Sequence, residues 1–183
     1  MNERCGKVNR KALHKISYGL YVVTSGKGEN CNGQICNTVF QVTSEPIKIA
    51  VSINKQNFTH GFVKESHVFG VSVLSKSTPL RFIGRFGFKC GRDIDKFEGT
   101  NYKVGKTGAR IVLDHSVAYL EAEVIKEVDA GTHTIFIGKV VDAEILADEE
   151  PLTYAYYHLI KRGVTPKAAP TYIKGEKIRK VMK

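Results

Sequence analysis

The chain has 183 residues, of which 42% are apolar, and it carries a formal net charge of +10 at pH 7. This length fits one domain with short extensions, and the apolar content excludes wholesale disorder. The sequence has neither the run of about 18 apolar residues that a membrane span needs nor the apolar segment of a secretory signal, which predicts a cytoplasmic protein.

The first third of the chain is predicted to form mostly strands. A short helix is expected over 9–16, followed by a strand over 17–24 and a turn-rich loop over 25–33. A second strand is predicted over 32–46, which reads NGQICNTVFQVTSEP, and the alternating segment 47–53 predicts a third. Strands that follow one another so closely favour antiparallel pairing.

The middle of the chain is predicted to add two short helices and one strand. Polar residues at the start of 57–66 favour a helix there, and the composition of 67–74 favours a strand. Ser77 or Thr78 is expected to cap a helix within 77–88, because Pro79 suits the first helical position.

The second half is again rich in predicted strands, at 109–113, 117–128 and 132–146, the last with a bend at Gly138. They follow a connection rich in glycine and charge, and a partly helical segment comes after them. Alternation over 117–128 predicts one apolar face and one acidic face, formed by Ala118, Leu120, Ala122 and Val124 and by Glu121 and Glu123, respectively. These elements predict a mainly β fold in which an antiparallel sheet closes as a barrel, with a few short flanking helices.

Polar side chains concentrate in two neighbouring places of this predicted barrel. They are Asn37, Thr38, Gln41 and Thr43 in the second strand, and Asn54, Lys55, Asn57 and Thr59 after the third. A buried polar group without a partner costs about 1–3 kcal/mol. The second strand therefore either has its polar face in water or lines a polar ligand, and the pattern supports both interpretations equally.

The group that follows the third strand lies at a predicted helix start. Free backbone N–H groups and the helix dipole make such a position suitable for a phosphate, although simple capping beside an exposed lysine explains the same residues. Asn and Gln amides can both donate and accept hydrogen bonds. The two polar groups together would thus suit a flat heteroaromatic ligand with a phosphate tail.

Three further features have both a structural and a functional interpretation. His133 begins a predicted strand, and Tyr154 lies in the aromatic cluster at 153–158; both would serve either the core or a flavin or nicotinamide site. The basic charge suits nucleic acid, an anionic cofactor or substrate, or a solvated surface.

The four cysteines are Cys5, Cys31, Cys36 and Cys90, and no two of them form a Cys-x-x-Cys pair. We therefore expect free thiols and no metal site.

Seven segments carry a family likeness, in order and with similar spacing: ISYGLYVVTS (16–25), GQICNTVFQVTSEPIKIAVSINKQNFTHGFVKES (33–66), FGVSVL (69–74), FIGRFGF (82–88), KFEG (96–99), GTHTIFIGKVVDAEIL (131–146) and LTYAYYHLIKRGVTPKAAPTY (152–172). They resemble the flavin reductase-like family, whose fold is the FMN-binding split barrel. Within it, the likeness points to the archaeal NAD(P)H-dependent ferric reductases and to the flavin domain of high-molecular-weight rubredoxins.

The resemblance implies a domain over 1–172, followed by a basic tail over 173–183, and a homodimer with one FMN per subunit near the interface. The implied contacts are Asn37, Thr38, Gln41 and Thr43 for the flavin, and Asn54, Lys55, Asn57 and Thr59 for its phosphate and ribityl end. Arg85 and Phe86 would close over the site, with Tyr154 as a further contact. His133 would lie close to the flavin as the candidate catalytic residue.

The implied activity passes electrons from NADH or NADPH through FMN to a ferric chelate, to free flavin or to a separate redox protein. One alternative is a flavoredoxin-like electron carrier that does not oxidise NAD(P)H directly. A more distant alternative is a barrel that binds single-stranded nucleic acid, which the charge favours. The sequence has no alternating basic and aromatic strand of the kind such proteins use to stack bases, so nucleic acid is an unlikely partner.

Overall fold

The computed structural model describes residues 9–172 and residue 174. The strands in this part of the chain are β1 (Tyr21–Lys27), β2 (Asn30–Cys36), β3 (Val39–Ser44), β4 (Ile47–Asn54), β5 (Val68–Leu74), β6 (Tyr102–Val104), β7 (Arg110–Val112), β8 (Ser116–Ala130) and β9 (His133–Ile145). The helices are a 3-10 helix (Arg10–Lys15), α1 (Phe58–Ser66), α2 (Leu80–Phe88) and α3 (Tyr154–Leu159). Apart from residue 174, the predicted basic tail lies outside the described residues, and so does Cys5.

Seven strands form one antiparallel sheet in the order β2-β1-β5-β8-β9-β4-β3, and β6 pairs with β7 separately. The edge strands β2 and β3 are neighbours in the chain, and only Asn37 and Thr38 separate them. The sheet must therefore curl until its edges approach each other, and there the Cys36 thiol of β2 lies 3.7 Å from the Ser52 carbonyl of β4. This confirms the predicted antiparallel barrel with short flanking helices.

The prediction of one strand over 32–46 is wrong, because β2 ends at Cys36 and β3 begins at Val39. Asn37 and Thr38 carry the chain across the seam between the two edges of the sheet. No glycine or proline marks this break, so local pattern alone could not locate it. The predicted loop over 25–33 is also too long, since β1 and β2 form a hairpin that turns at Gly28, whose φ is +59°.

The capping prediction for α2 is wrong by one position. Pro79 has an extended backbone (φ −67°, ψ 145°) and is itself the N-cap, so the helix begins at Leu80. The Thr78 hydroxyl does not cap the helix; it is buried and donates to the Ser75 carbonyl at 2.6 Å.

The predicted acidic face of β8 is wrong for Glu121, which is fully buried. A register shift between Glu121 and Ala122 in the pairing of β8 with β9 interrupts the alternation and leaves both side chains inside. The Glu121 carboxylate accepts hydrogen bonds from the backbone N–H groups of Lys106 (2.8 Å) and Thr107 (2.7 Å). It thereby fastens the turn between β6 and β7 to the barrel, whereas Glu123 is exposed as predicted.

Two apolar clusters hold the described chain together. One fills the barrel with residues of β1, β4, β5 and β9, among them the fully buried Phe69 and Phe136. The other joins α2 and α3 to the outside of β1, with Ile83, Phe86 and Tyr157 buried against one another. No helix in the described part of the chain has the length and apolar character needed to span a membrane.

Candidate functional site

A cavity of about 250 Å³ opens beside the seam of the barrel. Its walls come from β2, the end of β4, the start of α1, the end of α2 with the loop after it, the start of β9 and residues 164–170. Ile83 and Phe86 supply an apolar floor that continues into the core. Such a mixture of an apolar wall and a few convergent polar groups is typical of ligand sites.

One wall carries buried amide and hydroxyl groups from β2 and α1. The Asn32 amide donates to the Thr59 hydroxyl at 2.9 Å, and both side chains are buried. Gln34 lies two residues further along β2 and therefore on the same face. Its Oε1 is buried and has no hydrogen-bond partner within the described residues, so it offers an acceptor to a ligand.

Lys96 brings a buried positive charge to the same cavity. Its side chain is only 5% exposed, and Nζ donates to the carbonyls of Gly33 (2.8 Å) and Phe86 (3.2 Å). Since an ammonium group has three donors, one remains for a ligand. Burial lowers the pKa of Lys96 to about 8, so the group is still mainly protonated at neutral pH.

His133 lines the cavity from the start of β9, where it pairs with Asn54 of β4. Its Nδ1 lies 2.9 Å from the Thr132 hydroxyl, while its buried Nε2 has no hydrogen-bond partner in the described chain. Burial lowers the pKa of His133, and the nearby Ala168 carbonyl opposes that shift. The ring is therefore neutral at pH 7 and can either donate or accept a hydrogen bond.

The opposite wall is an irregular segment after α3. Val164, Pro166, Ala168 and Pro170 line the cavity from this side. Polar side chains of the barrel and of α3 attach the segment: the Asn54 amide, for example, donates to the Ala168 carbonyl at 3.2 Å.

The structure brings many of the predicted site residues to this cavity and leaves others outside its lining. The residues in the lining are Asn37, Asn54, Asn57, Thr59, Phe86, His133 and Tyr154. The residues outside it are Thr38, Gln41, Thr43, Lys55 and Arg85. Asn37 and Asn54 come together because antiparallel pairing of β3 with β4 brings the start of β3 to the end of β4, and His133 joins them because it pairs with Asn54.

The same pairing explains why Gln41 and Thr43 lie elsewhere. Thr43 pairs with Lys48 near the far end of β4, and six residues of strand correspond to about 20 Å from Asn37. Gln41 is exposed, and its amide lies 3.4 Å from the Thr43 carbonyl, while the Thr43 hydroxyl donates to the Pro46 carbonyl at 2.5 Å. Both side chains thus bond within their own hairpin.

The other residues outside the lining also have partners of their own. Lys55 forms an exposed ion pair with Asp129 at 2.7 Å. Arg85 donates to the Glu98 carbonyl and to the Thr100 hydroxyl, the latter at 3.3 Å. The Thr38 hydroxyl donates to Asn37 Oδ1 at 3.1 Å and so orients a side chain of the lining.

Sequence reasoning missed several groups of the site. Gln34 lies in the predicted second strand but was not singled out among its polar residues, and Lys96 lies in a connection without periodicity. Lys96 does begin KFEG, one of the segments that carried the family likeness, and this is the signal that could have drawn attention to it. The cavity-lining wall at 164–170 lies within another of those segments, 152–172, but apart from its prolines it has no local pattern that predicts its position.

Two of the cysteines that were predicted to be free thiols lie in the cavity lining. Cys31, Cys36 and Cys90 are free, and the last two line the cavity. Burial raises the pKa of the Cys36 thiol to about 11, which keeps it protonated. Within the described residues, no three His, Cys, Asp or Glu side chains are grouped to hold a metal ion.

Comparison with known proteins identifies the class to which this fold and site belong. Residues 13–160 match the flavin reductase like domain, which shows that the chain belongs to the flavin reductase-like family of oxidoreductases. Its barrel is accordingly the split barrel of that family.

Two proteins of known name are similar over most of the chain. The ferric-chelate reductase (NAD(P)H) of Archaeoglobus fulgidus is 58% identical over 167 residues, which cover 91% of this chain and 98% of that protein. The high molecular weight rubredoxin of Moorella thermoacetica is 56% identical over 168 residues, which cover 92% of this chain and 73% of that protein.

Solved structures of flavin reductases share the fold. The NADH:FAD oxidoreductase of Streptomyces globisporus superimposes with a TM-score of 0.72 at 24% identity and covers 84% of this chain and 90% of its own. The flavin reductase HpaC in complex with NADP+ gives a TM-score of 0.68 at 25% identity and covers 79% and 90%, respectively.

Proposed function

We propose that the cavity binds FMN and that the protein transfers electrons from NADH or NADPH, through this flavin, to a ferric chelate, to free flavin or to a separate redox protein. The family makes a flavin the expected cofactor, and the residues present suit one. The observation that carries the proposal is that Gln34 Oε1 and His133 Nε2 are both buried in one cavity without a hydrogen bond of normal geometry to any described residue. A flavin ring edge carries both donors and acceptors that would satisfy them.

The phosphate end of the ligand is assigned to Lys96 and the start of α1. Asn57 caps this helix without a side-chain hydrogen bond, and its side chain faces the cavity together with the buried Thr59. A helix start offers backbone N–H groups and a partial positive charge to an anion. Lys96 adds a full charge in a poorly solvated position, where its attraction for a phosphate is only weakly screened.

The apolar side chains and His133 are assigned to the ring. Ile83 and Phe86 line the cavity and are almost completely buried, so they would form the apolar wall behind the ring. His133, neutral at pH 7, would donate or accept a single hydrogen bond without adding charge. When bound, FMN supplies the redox chemistry, accepting two electrons from the nicotinamide and passing them on to the acceptor.

We also propose that two copies of the chain associate through the edge strand β3. Phe40 and Val42 of this strand and Ile47 of β4 are 50%, 40% and 51% exposed, respectively. An exposed apolar edge strand is prone to pair with a second copy. In such a homodimer, any flavin contact of Gln41 or Thr43 would be made at the interface, and sedimentation of the purified protein would measure the assembly.

An anaerobic titration of the FMN-loaded protein with NADH, and separately with NADPH, tests the proposed activity. Loss of the visible flavin absorbance in proportion to added nucleotide is the expected result. A bound flavin that neither nucleotide bleaches, but that dithionite does, would contradict the reductase proposal and favour an electron carrier instead. A chain that retains no flavin would contradict the site itself.

A further inference from the structure

The wall formed by residues 163–171, here called the strap, is attached differently from the rest of the cavity. Its residues belong to no strand or helix. Their backbone bonds stay within the segment or reach back to α3: the Ala169 N–H donates to the Pro166 carbonyl (3.0 Å), and the Gly163 N–H to the Tyr157 carbonyl (2.9 Å). The strap therefore depends on side chains for its position over the barrel.

Tyr154 is the centre of that attachment. Its hydroxyl lies 2.8 Å from the Thr165 hydroxyl and 2.7 Å from the Thr171 hydroxyl, so it joins both ends of the strap to α3. Beyond these, the Asn37 amide donates to Thr171 Oγ1 at 3.1 Å, and Thr165 Oγ1 lies 3.3 Å from His158 Nε2. The result is a continuous chain of hydrogen bonds from the barrel seam through the strap into α3.

When His158 is neutral, the groups at the two ends of this series of hydrogen bonds, His158 and Asn37, determine which hydroxyl donates and which accepts at each step. His158 Nδ1 lies 3.0 Å from the Gly163 carbonyl, which can only accept, so the proton is on Nδ1 and Nε2 accepts from Thr165. Thr165 must then accept from Tyr154, and Tyr154 from Thr171. Thr171 in turn accepts from the Asn37 amide, which can only donate through its nitrogen. Every hydroxyl is thus used once as donor and once as acceptor.

Two further contacts complete the closed position. The Asn54 amide holds the Ala168 carbonyl, and the Tyr157 hydroxyl donates to the Val164 carbonyl at 3.0 Å. Asn37, Asn54 and Tyr154 all belong to the cavity lining, and the side chain of each is bonded to the strap. Strap closure and ligand contact therefore use the same side chains.

The size of the cavity adds a second observation. With the strap in this position the cavity measures about 250 Å³. Sites that enclose ligands of drug size typically measure about 300–1,000 Å³. A ligand as large as FMN would therefore either extend out of the cavity mouth or be accommodated by outward movement of the strap.

We propose that the strap opens and closes over the cavity, that the hydrogen-bond chain through Tyr154 holds it closed, and that strap opening limits the exchange of bound flavin. This inference rests on the proposed flavin site. Side-chain hydrogen bonds are individually weak, so the strap can open without unfolding the barrel. The strap would then decide whether the flavin behaves as a retained cofactor or as an exchanging substrate.

Tyr154→Phe tests the proposal, because it keeps the aromatic packing and removes both strap bonds. Tyr156→Phe is the matched control, since it makes the same change two residues away on α3, outside the chain of bonds. Flavin release is measured by dilution into a flavin-scavenging apoprotein, and strap opening by hydrogen exchange of the Gly163, Ala169 and Tyr172 amides. Thr171→Val, which interrupts the series of hydrogen bonds at another point, replaces Tyr154→Phe as the test if that variant does not fold.

Flavin release and strap amide exchange are both expected to accelerate about 5- to 30-fold in Tyr154→Phe, as the loss of one or two such hydrogen bonds implies, and to stay unchanged in Tyr156→Phe. Faster amide exchange with unchanged flavin release would overturn the gating role. Unchanged amide exchange would overturn the role of the hydrogen-bond chain. A wild-type protein that takes up no flavin would overturn the proposed function, whereas the exchange data would still test the closure of the strap.

Discussion

The two sides of the cavity are held in place by different interactions. On the barrel side, backbone ladders join the strands, and Phe86 and Ile83 are almost completely buried behind the cavity wall. On the strap side, single side-chain hydrogen bonds hold a segment without regular structure. Ladders and apolar cores open at a cost close to that of global unfolding, whereas such a segment opens locally. A rigid binding surface is thus combined with an adjustable cover.

The largest effect, on the free energy of unfolding, is expected from a substitution in the apolar floor of the cavity. Phe86 is a residue of α2 that lines the cavity and is 1% exposed. Phe86→Ala should therefore lower the free energy of unfolding by about 3–5 kcal/mol. Phe88→Ala, on the same helix, is the matched control, because Phe88 is 49% exposed. Urea unfolding measures both variants; equal losses of stability would contradict the assignment of Phe86 to the rigid side.

Replacing the buried cation should weaken flavin binding without removing the fold. Lys96→Met keeps the length of the side chain and removes the charge, so the dissociation constant for FMN should rise about tenfold or more. Lys55→Ala is the control, because Lys55 pairs with Asp129 on the surface and lies outside the cavity lining. Fluorescence titrations of both variants compare the two lysines directly; a larger effect for Lys55 would move the phosphate site to that residue.

The lowered pKa of Lys96 predicts that the affinity for FMN depends on pH. The pKa of Lys96 is lowered to about 8, so its charge is fully present below that value and is lost as the pH rises through it. FMN affinity in the wild type should therefore fall as the pH rises above about 8, and Lys96→Met should abolish this decrease. A decrease that persists in Lys96→Met would assign it to another group.

A smaller effect, on rate and not on stability, is expected at His133. His133→Ala removes the unpartnered Nε2 from the cavity, and the loss of one hydrogen bond should slow flavin reduction by NADH about fivefold. His60→Ala is the contrasting variant, because His60 bonds Thr134 on the barrel side at 2.8 Å and should affect the melting temperature instead. Stopped-flow bleaching and thermal melting separate the two; a purely thermal effect at His133 would return it to a structural role.

The sequence predicted the regular side of the molecule better than the irregular side, for a physical reason. The first half of β9 buries alternate residues, and that alternation is visible in the sequence, while the continuous apolar composition of β5 marks a strand that is buried along its length. The break at Asn37 and Thr38 is not visible in the sequence, because it follows from closure of the whole barrel. Glu121 was likewise misassigned, since a register shift is invisible to a pattern with a period of two.

Prediction of the site followed the same division. Asn37 was predicted from its polarity, and Asn54, Asn57 and His133 were predicted because they lie at the ends of recognisable elements; all four line the cavity. Lys96 and the strap were not predicted, because their positions depend on long-range contacts: Nζ of Lys96 reaches the Gly33 carbonyl, 63 residues away in the chain. No local pattern encodes a contact of that kind.

The central claim is that the cavity holds FMN with its phosphate at Lys96. Parallel titrations of the wild type and Lys96→Met with FMN and with riboflavin test it most directly, because the two ligands differ only in the phosphate. The wild type should bind one FMN per chain and prefer it to riboflavin by about tenfold or more, and Lys96→Met should lose that preference. Equal affinity of the wild type for both ligands, or a preference that survives in Lys96→Met, would contradict the account.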